Sequence, residues 1–255
     1  MTVREIYAYL NEKIPPSLSC AWDNDGMMCC PDPDAPVRRV LVVLDITADV
    51  VKKAQEGGFD LILSHHPLIF SPLRALHHED AIAKKVIELI KSGIAAFSFH
   101  TRLDAVEGGV NDLLAEKIGL CNVATFGADG EAIGRIGELP QSVTLAELAT
   151  LVKQVTGAPF VTVSDAARPV RRVAVLGGSG SDDVIPAILA GADTYLTGEL
   201  KHNWLTEAPE RSINLIAAGH FYTENQVCAR LRELVLEADP TVAVEIADSN
   251  PTTAI

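Results

Sequence analysis

The chain lacks any run of about 18 apolar residues, and no charged segment followed by an apolar one precedes residue 20. The first absence excludes a membrane-spanning helix; with no secretory leader either, a cytoplasmic protein is expected. Positive charge is scarce: 21 Lys and Arg stand against 34 Asp and Glu, a formal net charge of −13. The longest basic runs are pairs, such as Arg38-Arg39 and Arg171-Arg172. Duplex nucleic acid and anionic membrane are thereby excluded as main partners. Cysteine is sparse and odd in number, with Cys20, Cys29, Cys30, Cys121 and Cys228 and no C-x-x-C spacing. That pattern predicts reduced thiols and no disulfide framework. Only the vicinal Cys29-Cys30 offers a soft-metal site, and buried free thiols are its ordinary alternative. Also missing are the G-x-G-x-x-G and G-x-x-x-x-G-K-[ST] phosphate loops, the G-x-S-x-G nucleophile turn, low-complexity tracts and tight internal repeats.

What is present is a globular composition, 48% hydrophobic and 22% charged over 255 residues, enough for one large domain or two small ones. Val3, Ile6, Tyr7 and Leu10 recur with helical spacing before Pro15-Pro16. After a turn-rich Trp22-Asp-Asn-Asp-Gly26, buried strands alternate with helices. These strands are Arg39 to Leu44, Asp60 to Ser64 and Ile94 to Phe99. The β-α-β-α-β-α order predicts an α/β fold with mainly parallel sheets flanked by helices. From about Cys121 the texture changes, and Gly127, Gly130, Gly134 and Gly137 suggest a boundary. Thr144-Leu-Ala-Glu147 is a capping box opening a helix that Gly157 stops. Strands are predicted at Pro159 to Val163, Arg172 to Leu176 and Ala192 to Leu196. A helix over Asp182 to Leu189 must start late or bend, because Pro186 lies deep within it. The predicted division is residues 1–125 with 210–255 as a metal-binding α/β domain, and 126–209 as a middle α/β domain.

Chemistry concentrates at strand ends. Asp60-Leu-Ile-Leu-Ser64 runs into His65-His66 and is stopped by Pro67. The next such strand runs into His100-Thr-Arg-Leu-Asp104, and Ile213 to Ala218 runs into Gly219-His220-Phe-Tyr-Thr-Glu224. The pairs His100/Asp104 and His220/Glu224 are each four apart, which places both members on one face of a helix. Neutral imidazoles mixed with carboxylates suit zinc, manganese, iron or cobalt as divalent ions. A carboxylate can bridge two such ions in a hydrolytic centre. Taken singly, each histidine could equally cap a strand. His77 and His78 fall in a polar loop and are assigned to solvent. His202 is placed either beside the ligands or at the surface. Gly177-Gly-Ser-Gly-Ser181 lies between a strand and a helix, so it is either an amide cradle for an anion or a plain tight turn.

These residues resemble the GTP cyclohydrolase 1 type 2 family, also called the Nif-three-like dinuclear metal centre proteins. The matching stretches are Trp22 to Gly26, Ser64 to Pro67, His100 to Asp112, Leu176 to Gly180, Thr197-Gly-Glu199 and Gly219 to Glu224. They span nearly the whole chain, and the length resembles the short bacterial form. The resemblance implies a Nif-three-like fold and two divalent metal ions per chain. It implies His65, His66, Asp104, His220 and Glu224 as ligands, with Glu224 the bridge, and His100 as a catalytic group beside them that carries a proton. It also implies ring-shaped homohexamers. Two departures stand out: Met27-Met28-Cys29-Cys30 where relatives carry a Leu-rich segment, and Lys201-His202-Asn203 where they often carry a His pair. The function expected is metal-dependent hydrolysis of a small nucleotide-like or phosphorylated, anionic molecule. The competing expectation is an oligomeric interaction or regulatory protein whose metals are structural.

Overall fold

The computed structural model describes residues 1–128, 131–250 and 252, so Gly130 lies outside the described residues. Among the described residues two compact units emerge: Met1–Val106 with 227–250, and Glu107–Gln226. In the first, α1 (Val3–Lys13) starts at a capping box in which Thr2 and Glu5 satisfy each other's backbone N–H. Its buried stripe is Val3, Ile6 and Leu10. Then come β1 (Gly26–Cys29), β2 (Arg39–Val43), α2 (Ala48–Gly57), β3 (Leu61–Ser64), α3 (Ala81–Ser92), β4 (Ala95–Ser98) and the short α4 (Thr101–Ala105). The second unit comprises α5 (Val110–Lys117), β5 (Cys121–Phe126), β6 (Gly134–Val143), α6 (Leu145–Thr156), β7 (Thr162–Ser164) and β8 (Val170–Leu176). It continues with α7 (Val184–Leu189), β9 (Thr194–Thr197), α8 (His202–Glu207), β10 (Asn214–Ala217) and α9 (His220–Glu224). The chain then returns to the first unit as α10 (Val227–Ala238) and β11 (Ala243–Ile246).

The first sheet has the order β1-β4-β3-β2-β11, parallel throughout except for β1. β3 and β4 are buried at every residue, which is why they read as unbroken apolar runs and not as alternating ones. From three of the strands, Leu41, Val43, Ile62 and Ala96 join Val50, Val51 and Leu89 in one core. Fully burying each larger aliphatic chain contributes about 2 kcal/mol. The register aligns Val43 with Ser64 and Ser64 with Ser98, so β2, β3 and β4 end on one line.

The second sheet has the order β5-β6-β8-β9-β10-β7. It is mixed: β8, β9 and β10 are parallel, while β5, β6 and β7 join antiparallel. Leu176, Thr197 and Ala217 are in register, so these three strands also end together. Residues 107–125 and 210–226 belong here, not with the first unit as the change in texture suggested. The reason is pairing: β10 bonds to β9 and β7, and Leu114, Ala115 and Ile118 of α5 and its cap share a core with Leu145, Val173 and Ile216. The helix around Pro186 does start late. A 3-10 turn at Ser181–Asp183 precedes α7, leaving Pro186 in the first turn, where an N–H has no helical acceptor to lose.

Candidate metal centre

In the first unit, the aligned strand ends deliver Asp45, His65, His66 and His100 to one edge of the sheet. Each imidazole is held through Nδ1. His65 Nδ1 donates to the Phe99 carbonyl at 2.9 Å, and His66 Nδ1 lies 2.7 Å from Asp45 Oδ1. His100 Nδ1 lies 2.8 Å from Asp23 Oδ1. With the proton on Nδ1, Nε2 becomes the basic nitrogen of each ring, the state in which histidine binds metal. One nitrogen from each of the three rings lies within 4.8 Å of the others. Asp104, on α4, points its Oδ1 at His65 Nε2 across 3.7 Å. Two acceptor atoms facing one another are suited to a shared cation. The donor set therefore fits a divalent metal.

In the second unit, His220 begins α9 and Glu224 ends it. Their four-residue offset brings His220 Nε2 to 3.1 Å from Glu224 Oε2, on one helical face as expected. Glu199, just beyond β9, lies 3.5 Å from His220 Nδ1. The glycine loop packs against this pair and leaves no room for a side chain. A Cβ on Gly178 would stand 2.1 Å from Glu224 Oε1 and 3.1 Å from His220 Nε2.

Three of the loop's backbone amides are committed within the fold. The Gly177 N–H donates to Asn111 Oδ1 (2.8 Å), Gly178 to Thr223 Oγ1 (3.0 Å) and Gly180 to Thr197 Oγ1 (3.1 Å). Those amides are already committed, so they supply no anchor for phosphate. His77, His78 and His202 are exposed. Cys29 is buried, and burial with the neighbouring Cys30 thiol pushes its pKa up to about 11, so the vicinal pair does not offer a thiolate.

Sequence reasoning passed over Asp23 and Asp45, the carboxylates that orient His100 and His66. Asp45 was visible as the second residue beyond β2, equivalent in register to His66 beyond β3. Burial favours the neutral form of Asp23, but hydrogen bonds from His100 and Thr101 outweigh it and hold the carboxyl at about 2. A carboxyl lowered from 3.8 to about 2 contributes about 2 kcal/mol, present above pH 4 and lost as pH falls through 2. In metal-free protein, the stability gap between wild type and Asp23→Asn is therefore expected to shrink by about that amount between pH 5 and pH 2. Denaturant melts check this, and a gap independent of pH would contradict it.

The sequence matches the Duf34/NIF3 (NGG1p interacting factor 3) family over residues 1–253. The chain belongs to that family. A Clostridium perfringens member named GTP cyclohydrolase 1 type 2 homolog is 33% identical over 242 residues, 93% of this chain and 92% of the relative. A Schizosaccharomyces pombe member named protein NIF3 homolog is 32% identical over 262 residues, covering 94% of this chain and 93% of its own. Among solved structures, a Staphylococcus aureus hypothetical protein superposes with a TM-score of 0.88 at 26% identity, over 100% of this chain and 99% of that one. The Duf34/NIF3 fold is thus shared along the whole chain. Among the described residues, no helix is long and apolar enough to cross a membrane.

Proposed function

We propose that this Duf34/NIF3 member is a hydrolase that depends on two divalent metal ions and acts on a small nucleotide-like or phosphorylated molecule. His65, His66 and Asp104 would hold metal in the first unit, and His220 and Glu224 would hold metal in the second. The observation that carries this reading is the trio of imidazoles, each tied through Nδ1, whose nitrogens converge within 4.8 Å. When bound, such metals supply Lewis acidity and activate water at neutral pH. The chain's own contribution is orientation. Asp45 and the Phe99 carbonyl fix two ligand rings, and Asp23 fixes His100 so that its Nε2 can take or give a proton. The relatives' name, GTP cyclohydrolase 1 type 2 homolog, agrees with a nucleotide-like substrate. A homohexamer is the assembly proposed.

Elemental analysis of metal-replete protein is expected to give two ions per chain, and a nucleotide panel is expected to show turnover abolished by chelation. One ion or none would overturn the dinuclear centre. Full occupancy without metal-dependent turnover would leave the metals a structural role and overturn the hydrolase.

The same assay separates ligand from neighbour. Glu224→Ala is expected to lose metal, because it removes a carboxylate ligand, whereas His100→Ala is expected to keep it and lose turnover. His100 sits as close to His65 and His66 as any ligand would, with ring centroids 5.4 and 5.8 Å away, so the comparison is a real one. Equal metal loss in the two variants would make His100 a ligand.

A further inference from the structure

Two large aromatic side chains stand exposed together beside the imidazoles of the first unit. Trp22 is 57% exposed and Phe70 52%. Their ring centroids are 6.3 Å apart, and each lies 6.2 Å from that of His100. The Trp22 and Phe70 rings stand nearly perpendicular to His100, at 79° and 86°. Both loops are pinned. Asn24 Nδ2 donates to the Ile69 carbonyl at 2.5 Å, which clips the segment after Trp22 to the residue before Phe70. Asp23 accepts from the Thr101 N–H at 3.0 Å and from Thr101 Oγ1 at 2.6 Å, besides its bond to His100. Isolated surface hydrophobics are ordinary. A pair held in place by hydrogen bonds, yet left open to solvent beside a cluster of basic nitrogens, has the character of a binding surface.

We propose that Trp22 and Phe70 form a stacking platform for a planar nitrogen-heteroaromatic ring of the substrate, placed next to His100. The inference rests on the reading above that the imidazole cluster is the reacting centre, and it narrows the substrate class. Offset stacking keeps ring centroids about 4.5–7 Å apart, so a ring laid across the two side chains, each 6.2 Å from His100, can reach that imidazole. The ring, and not a distant phosphate, is then the part presented to that imidazole. A sugar phosphate without a ring has no π-face to offer and gains nothing from the platform.

Trp22 and Trp204 are the chain's two tryptophans, so Trp204→Phe leaves Trp22 as sole reporter. Metal-loaded Trp204→Phe protein is titrated with guanosine and with ribose 5-phosphate while emission is followed, and calorimetry on the unsubstituted chain repeats both titrations. Guanosine is expected to quench Trp22 saturably, and ribose 5-phosphate is not. Removing one stacking partner is expected to weaken guanosine binding about tenfold in Phe70→Ala (and in Trp22→Ala by calorimetry), with Trp22→Phe and Phe70→Tyr restoring most of it. Guanosine binding unchanged in both alanine variants would overturn the platform, as would Trp22 shielded from acrylamide in the native assembly, which would make it an interface between copies. Nucleotide turnover untouched by Trp22→Ala would sink the platform while sparing the hydrolase. Ring binding that needs Trp22 in a protein without metal-dependent turnover would uphold the platform and remove the hydrolase.

Discussion

Gly178→Val protein is expected to purify with far less metal than wild type, with affinity lowered about ten- to a hundredfold. The first branch carbon of the new side chain falls 2.1 Å from Glu224 Oε1, inside any permissible contact. Glu224 cannot simply step aside, because its side chain is only 6% exposed. His220 Nε2, 3.1 Å from the same carbon, is crowded as well. Gly178 also has φ +66°, a conformation that costs an L-residue about 1–2 kcal/mol. Lower stability alone would therefore not make the case, and Gly180→Ala supplies the control. Its Cβ meets Tyr195 Oη at 2.2 Å and Thr197 Oγ1 at 2.4 Å, away from Glu224. Gly180→Ala should melt earlier yet bind metal normally, while Gly178→Val should do both badly. Equal metal affinity for Gly178→Val and wild type, by titration of the folded protein, would separate the glycine loop from the metal site.

The largest effect on stability is expected from Arg102→Ala, about 3–5 kcal/mol. Arg102 is 1% exposed, a position where a guanidinium survives only with every donor satisfied. Its Nε donates to Asp25 at 2.9 Å, and Nη1 donates to Asn11 Oδ1 at 2.7 Å and to the Ile14 carbonyl at 3.1 Å. The guanidinium carbon sits 4.3 Å from the centre of the Phe99 ring. Truncation strands the nearly buried Asp25 carboxylate and opens a cavity beneath α1. The double variant Arg102→Met/Asp25→Asn removes both charges and should recover part of the loss. Denaturant midpoints read both outcomes. A loss in Arg102→Ala below about 1 kcal/mol, typical of a surface pair, would contradict the buried network.

That His65, His66, His100, Asp104, His220 and Glu224 fall at or just beyond strand ends was legible because each follows or closely trails an apolar run too short for a helix, with Pro67 and Gly219 marking two of those ends. The His/carboxylate offsets of four were legible because the helix repeat alone decides that they share a face. The partners of those residues were not. No spacing rule links Asp23 to His100 or Asn111 to Gly177, since such bonds join segments far apart in the chain. The glycine loop stayed open between an anion cradle and a tight turn for the same reason: only the fold shows where Asn111, Thr223 and Thr197 meet its amides. β11 and β1 escaped notice because edge strands alternate weakly; Ala243–Ile246 is mostly exposed. The division at 125 and 210 failed because strand β10 carries the same apolar signature whichever sheet it joins.

The partner of β2 on its outer side is β11, with Arg39 opposite Ala243, about two hundred residues later in the chain. During synthesis, the second unit, which is continuous, is complete while β2 still presents an open edge of buried-type residues, Val40 to Val43. That edge is a template for the wrong strand until the last segment arrives. A chain halted near residue 226 would therefore hold every candidate metal-binding side chain and yet leave the edge of β2 open to aggregation.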